Sequence, residues 1–284
     1  MSKLTQEDVE RWITEVSTGK FHYTKVLEGQ VLPELYPHLR VIMHRAVENE
    51  IAKPLGEKER DGLYIKVNKS LEEIQWWHSD GDRAQDLLLL PLGLHEYGYI
   101  DEGAVILVAG VYNQGKTAFC LNVVNLNIEK WPNTYLFASE GINQLSWKFR
   151  QMHPAVPMPP PFVVYKRFDN FADVIVPTAL NVIDYLRTDM EQSYAVSNKI
   201  SEIQKKLTTG IAVIAMQKPV GRKIAFGGGA TAWEPTMYIS IDKGYMEFEK
   251  IKAPKQMDFD PYRAKWHFTI SKGVNFIKGD MIVE

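Results

Sequence analysis

The chain has 284 residues, 45% hydrophobic and 24% charged, with 33 basic against 35 acidic side chains and a net charge of −2. That composition suits a globular protein with one large and one small domain, and it excludes a global basic field, so any nucleic-acid contact must rest on local patches. One cysteine, Cys120, excludes an internal disulfide; with a polar start and no apolar run of membrane-spanning length, the expectation is a cytoplasmic protein without membrane contact.

In chain order, residues 6–18 place Val9, Trp12, Ile13 and Val16 at helical spacing, and Gly19 closes that helix. A second helix follows Pro37, with Leu39, Ile42, Met43, Ala46 and Val47 on one face. IAKPLGEKERDGLYIKV then predicts two short strands around a charged tip, with a turn at Asp61–Gly62. Residues 71–100 open with charges and Trp76 and Trp77, then turn apolar, as a linker docking on the next domain would; the tryptophans are expected to pack rather than stack on bases. From residue 103 the texture changes. Apolar strands at 104–109, 134–138, 180–184 and 211–216 alternate with helices at 116–130, 142–152 and 195–208, which predicts a mostly parallel sheet covered on both faces. After residue 236, MYISID, YMEFEKI and AKWHFTI predict antiparallel strands at one edge.

The strongest local signal is GVYNQGKT, residues 110–117, between an apolar strand and an amphipathic helix. It satisfies G-x-x-x-x-G-K-[ST]: Gly110 and Gly115 allow the turn, and the N–H groups of Val111, Tyr112, Asn113, Gln114 and on to Ala118 can face phosphate oxygens. Lys116 would reach the β- and γ-phosphates and the Thr117 hydroxyl would ligate Mg²⁺, so ATP and Mg²⁺ are the expected ligands.

Around this loop the sequence resembles RecA-fold proteins of the DnaB-type replicative helicases, over about residues 85–280. The resemblance rests on TYLFASEG, ALNVIDYLRT, GIAVIAMQKPVGR and EFEKIKAPK, in that order. It implies an α/β RecA-type P-loop NTPase core over 101–284. It also implies that Glu140 polarises the attacking water, that Asp184 holds Mg²⁺ through its water shell, and that Gln217 senses the γ-phosphate. The loop that follows, with Lys218, Arg222, Lys223, Gly227 and Gly228, lies where such proteins bind DNA. Lys250 and Lys252, with Lys255 as a third candidate, stand where a K-x-K or K-x-R pair reaches a neighbouring subunit's nucleotide. The helicases usually carry arginine in the second of these places. Tyr185 after Asp184, where an AAA+ ATPase would place glutamate, separates the chain from that lineage. The first 70 residues resemble a winged helix-turn-helix domain whose exposed side carries Arg40, His44, Arg45, Lys53, Lys58 and Arg60. Residues 20–69 hold nine basic against seven acidic side chains, a thin excess, and such modules also dock on proteins.

Two functions follow as expectations. The first is an ATP-hydrolysing, DNA-binding motor acting as a homo-oligomeric ring or filament on single-stranded DNA, of helicase or recombination type, with a possible protein partner through the first domain. The alternative is a DNA- or protein-binding module in which ATP controls assembly and turnover is incidental.

Overall fold

The structure, a computed structural model, describes residues 4–55, 62–69, 71, 77, 86–187, 195–255 and 257–283. The chain divides into two compact units, Met1–Asp80 and Gly81–Glu284, a boundary inside the expected linker.

In the first unit, α1 (Gln6–Arg11) runs into a π-helical turn, Trp12–Val16. Strand β1 (Lys20–His22) and α2 (Tyr36–Glu48) follow, then β2 (Ala52–Pro54) and β3 (Leu63–Lys66). The strands form an antiparallel sheet in the order β1-β3-β2. Val9, Ile13, Phe21, Val26, Leu39, Ile42, Met43 and Ala46 close a core of their own. The expected 3.6-residue spacing buries Val9, Ile13, Leu39, Ile42, Met43 and Ala46, but Val16, in the π-helical turn, is half exposed; β1 is an additional strand that three residues of sequence could not announce. The hairpin tip with Lys58 and Arg60 lies outside the described residues, as does Trp76. Trp77 is more than half exposed, so it is not a core residue of its unit.

The second unit is a nine-stranded sheet in the order β12-β11-β10-β9-β4-β8-β7-β5-β6. Its parallel strands are β4 (Val105–Gly110), β5 (Thr134–Ala138), β6 (Val163–Lys166), β7 (Leu180–Leu186), β8 (Ile211–Gln217) and β9 (Met237–Asp242). The strands β10 (Tyr245–Ile251), β11 (Ala264–Ser271) and β12 (Asn275–Val283) add on antiparallel. MYISID thus departs from the expected antiparallel set: β9 pairs parallel with β4 and only its other edge is antiparallel.

The continuous apolar runs form central strands because both sheet faces are covered, and their residues alternate between two cores. Ile106 and Val108 pack with Phe119, Leu121 and Val123 of α3 (Lys116–Leu126) and with Phe149 of α4 (Ile142–Gln151). Val105 and Leu107 face the other way, onto Val196, Ile200 and Ile203 of α5 (Ala195–Lys206). Residues 86–100 pack within the second unit. Leu88, Leu90 and Leu94 enter the first core, Asn127 both donates to Leu89 O and accepts from Leu89 N at 2.8 Å, and Trp131 Nε1 donates to Leu87 O at 2.8 Å. Among the described residues no helix is long and apolar enough to cross a membrane.

Candidate nucleotide site

A cleft of about 660 Å³ opens at the carboxyl ends of the parallel strands, the edge where open α/β sheets take their ligands. Tyr112 to Ala118, Ser139, Glu140, Gln144, Lys148, Tyr185, Gln217, Ile270 and Gly273 line it. Four strand ends meet here: β4 delivers the glycine loop, β5 leads to Glu140, β7 holds Asp184 and β8 ends on Gln217.

The loop's shape depends on its glycines. Gly115 sits at φ +102°, in the left-handed region, and a Cβ there would meet Ile270 Cδ1 at 2.7 Å. At Gly110 a Cβ would lie 2.8 Å from Lys116 Cγ, because the lysine folds back over the loop. Its Nζ donates to Gly110 O at 3.0 Å and Val111 O at 2.9 Å. Burial lowers the Lys116 pKa, and the nearby Asp184 charge opposes that shift. Helix α3 begins directly at the loop, so its first N–H groups and positive end face the cleft.

Two carboxylates stand opposite. Asp184 is buried and its carboxyl is pushed up to about 6. Desolvation is the largest cause, the hydrogen bond with Thr117 works against it, and the Glu140 charge adds to the rise. Asp184 Oδ1 and Glu140 Oε2 are both buried without a hydrogen-bond partner among the described residues. The other oxygen of Glu140 accepts from Lys148 Nζ, in an ion pair only about a fifth exposed on either side. An orphaned carboxylate oxygen beside a threonine hydroxyl at a phosphate loop is a donor set that fits a hard divalent cation.

No protein-family model and no curated protein matches the sequence. Among solved structures, a KaiC-like protein from the hyperthermophilic archaeon Pyrococcus horikoshii OT3 matches at 17% identity, with a TM-score of 0.50, over 70% of this chain and 99% of that one. At that identity the likeness carries the fold alone.

The fold is a RecA-type P-loop core.

Within the RecA-type core the predicted residues separate into two groups. Lys116, Thr117, Glu140, Asp184 and Gln217 come together, as do the loop residues Gly110 to Ala118. The expected DNA-loop and trans-acting cations lie elsewhere. Lys218 is a correction: it is buried, its ammonium donating to Ser240 Oγ at 2.7 Å and Asp242 Oδ2 at 2.5 Å, so it cannot meet a nucleic-acid strand where it stands. Lys223 is exposed but bonded to Glu247 at 2.8 Å, while Arg222 is exposed. Gly227 and Gly228 take left-handed conformations that lead into a short turn. Lys250 Nζ donates to Ala232 O and Trp233 O, Lys252 to Glu234 O, and Lys255 pairs with Asp86. In the first unit, Arg40 donates to Tyr23 Oη at 2.9 and 3.1 Å and lies over its ring, and Arg45 donates to Gln6.

Sequence reasoning missed Gln144 and Lys148. Both lie on α4, and only the packing of that helix beside β5 turns them into the cleft. Ile270 and Gly273 were missed for a similar reason: they arrive from the β11–β12 hairpin, more than 150 residues after the loop they meet.

Proposed function

We propose that the chain binds ATP with Mg²⁺ at this cleft and hydrolyses it, as a motor that couples turnover to single-stranded DNA and works as a homo-oligomer in the cytoplasm. One observation carries the hydrolytic reading: Lys116, Thr117, Glu140, Asp184 and Gln217, spread over a hundred residues of sequence, converge on one cleft at the sheet's carboxyl edge.

The loop N–H groups and the start of α3 bind the phosphates, and Lys116 leaves the loop carbonyls to balance the charge of the β- and γ-oxygens. Thr117 and Asp184 would hold Mg²⁺, which supplies charge neutralisation on the phosphate oxygens. Glu140 aligns the attacking water in line with the γ-phosphate and accepts its proton, while Lys148 holds that carboxylate in place. Gln217 donates its amide to the γ-phosphate or the water without adding charge. DNA contact rests on Arg222 and Lys223 in the loop after β8 and on Arg40 and Arg45 in the first unit.

A specific observation supports the second reading, in which ATP governs assembly and turnover is incidental. The lysines expected to act across a subunit interface, Lys250 and Lys252, already bond to carbonyls of their own chain. ATP turnover measured with and without single-stranded DNA separates the two. The motor predicts stimulation by DNA and a Glu140→Gln variant that binds ATP but turns it over at least a hundredfold more slowly. A slow rate that ignores both DNA and Glu140→Gln would leave only the regulatory reading.

A further inference from the structure

Among the described residues that line the nucleotide cleft, Lys116 and Lys148 are the only cations, set against the carboxylates of Glu140 and Asp184. Phosphoryl transfer spreads negative charge over the oxygens of the γ-phosphoryl group, and enzymes of this chemistry meet it with a cation beyond the loop lysine. The lysines expected to bring that cation from a neighbouring subunit, Lys250 and Lys252, donate to carbonyls of their own chain. Lys148 is the cation that remains.

Helix α4 sets it there. Gln144 and Lys148 stand four residues apart on one face and both line the cleft, while Leu145 and Phe149 turn into the core and fix the rotation of the helix. The Lys148 ammonium donates to Oε1 of Glu140, in a pair whose two side chains are each about a fifth exposed. Its charge acts on Asp184 as well. On its other side Asn143, Gln144, Trp147 and Lys148 border a cavity of about 370 Å³, so the long side chain has open space in which to move.

Given ATP hydrolysis at this cleft, on which the step rests, we infer that Lys148 is a further catalytic residue that acts within its own chain. Its ammonium exchanges the Glu140 carboxylate for the γ-phosphate oxygens of bound ATP and stabilises the charge that builds there. An ammonium on a flexible four-carbon stem, with three donors, can change acceptors without any movement of the backbone.

The exchange frees Oε1 of Glu140 for the attacking water; Oε2 is buried and has no hydrogen-bond partner among the described residues. The water oxygen bonds to the γ-phosphorus as the bond to the β,γ-bridging oxygen breaks. Glu140 receives the water's proton, and ADP and phosphate leave. Glu140 is thus released only where a γ-phosphate takes the lysine, and ADP leaves the pair intact. A lysine that merely fixed the glutamate would act through Glu140 alone. One that touches the γ-phosphate acts without Glu140 too, and on ATP but not on ADP.

The test is titration calorimetry of the full-length protein with Mg²⁺–ATP and with Mg²⁺–ADP, well below the melting temperature. Glu140→Gln is the parent, because it turns ATP over slowly enough to bind it intact. Adding Lys148→Ala to it removes both charges of the pair together, so no carboxylate is left stranded. The inference expects the added Lys148→Ala to weaken ATP binding by about tenfold or more and to change ADP binding by less than roughly twofold, with circular dichroism unchanged. It is overturned if ATP and ADP weaken alike, or if neither changes, which would leave Lys148 as a support for Glu140 and nothing more. If instead the wild type and the Glu140→Gln parent both give no heat with ATP, the nucleotide reading of the cleft fails and the inference falls with it.

Discussion

At the scale of single residues, the RecA-type core sets its carboxylates against each other and uses Lys148 to hold them. Glu140 and Asp184 interact through a poorly solvated gap, and Lys148 is the cation that tempers both. Lys148→Ala should therefore lower stability by about 1–2 kcal/mol, read as a fall in melting temperature, because two neighbouring carboxylates lose their shared counter-charge. A third carboxylate, Glu249, stands away from the cleft with Oε1 buried and unpartnered among the described residues. Burial raises it to about 7, Lys223 opposing and Glu247 adding to the rise. Its folded pKa exceeds its unfolded one, so its stabilising contribution is complete below pH 4.5 and is lost as pH rises to about 7. Glu249→Gln should leave the stability unchanged at pH 4 and raise it at pH 8 by about 1 kcal/mol, once solvent screening of this half-buried group is allowed for, read as a higher melting temperature at pH 8 only. Residue identity alone misled at Lys218. A lysine beside glycines reads as a loop cation, and nothing in the sequence shows Asp242 and Ser240 waiting on β9 to bury it.

Elements were most legible where packing leaves least choice. The strands β4, β5, β7 and β8 are buried on both faces, so their apolar runs stand out and their predicted bounds differ from the observed ones by at most two residues. The edge strands β6 and β12 went unread because one side of each is open to solvent. VVYK and NFIKGDMIV carry mixed residues that no alternation marks. The glycine loop was legible for the opposite reason: its conformation is rare enough to demand particular residues. Gly115→Ala tests this. A Cβ at φ +102° that also meets Ile270 should cost about 1–3 kcal/mol and distort the phosphate loop. The variant should melt earlier and bind ATP at least tenfold more weakly, while a circular dichroism spectrum like the wild type's shows the fold intact.

For the whole molecule, the two units answer to different physics. The second is a large sheet between two helical layers whose strand order brings a distant set of polar groups to one edge; the sequence motifs named those groups but did not give the strand order. The first is a small core of its own, and its helices and hairpin were readable from spacing. The account stands on the cleft taking a nucleotide. Titration calorimetry of Mg²⁺–ATP into the full-length protein and into Lys116→Ala tests that directly. The account predicts saturable heat for the wild type and roughly hundredfold weaker binding for the variant, the loss of about 2–3 kcal/mol of charge-assisted bonding. Absence of heat, or equal heat from both proteins, would contradict it.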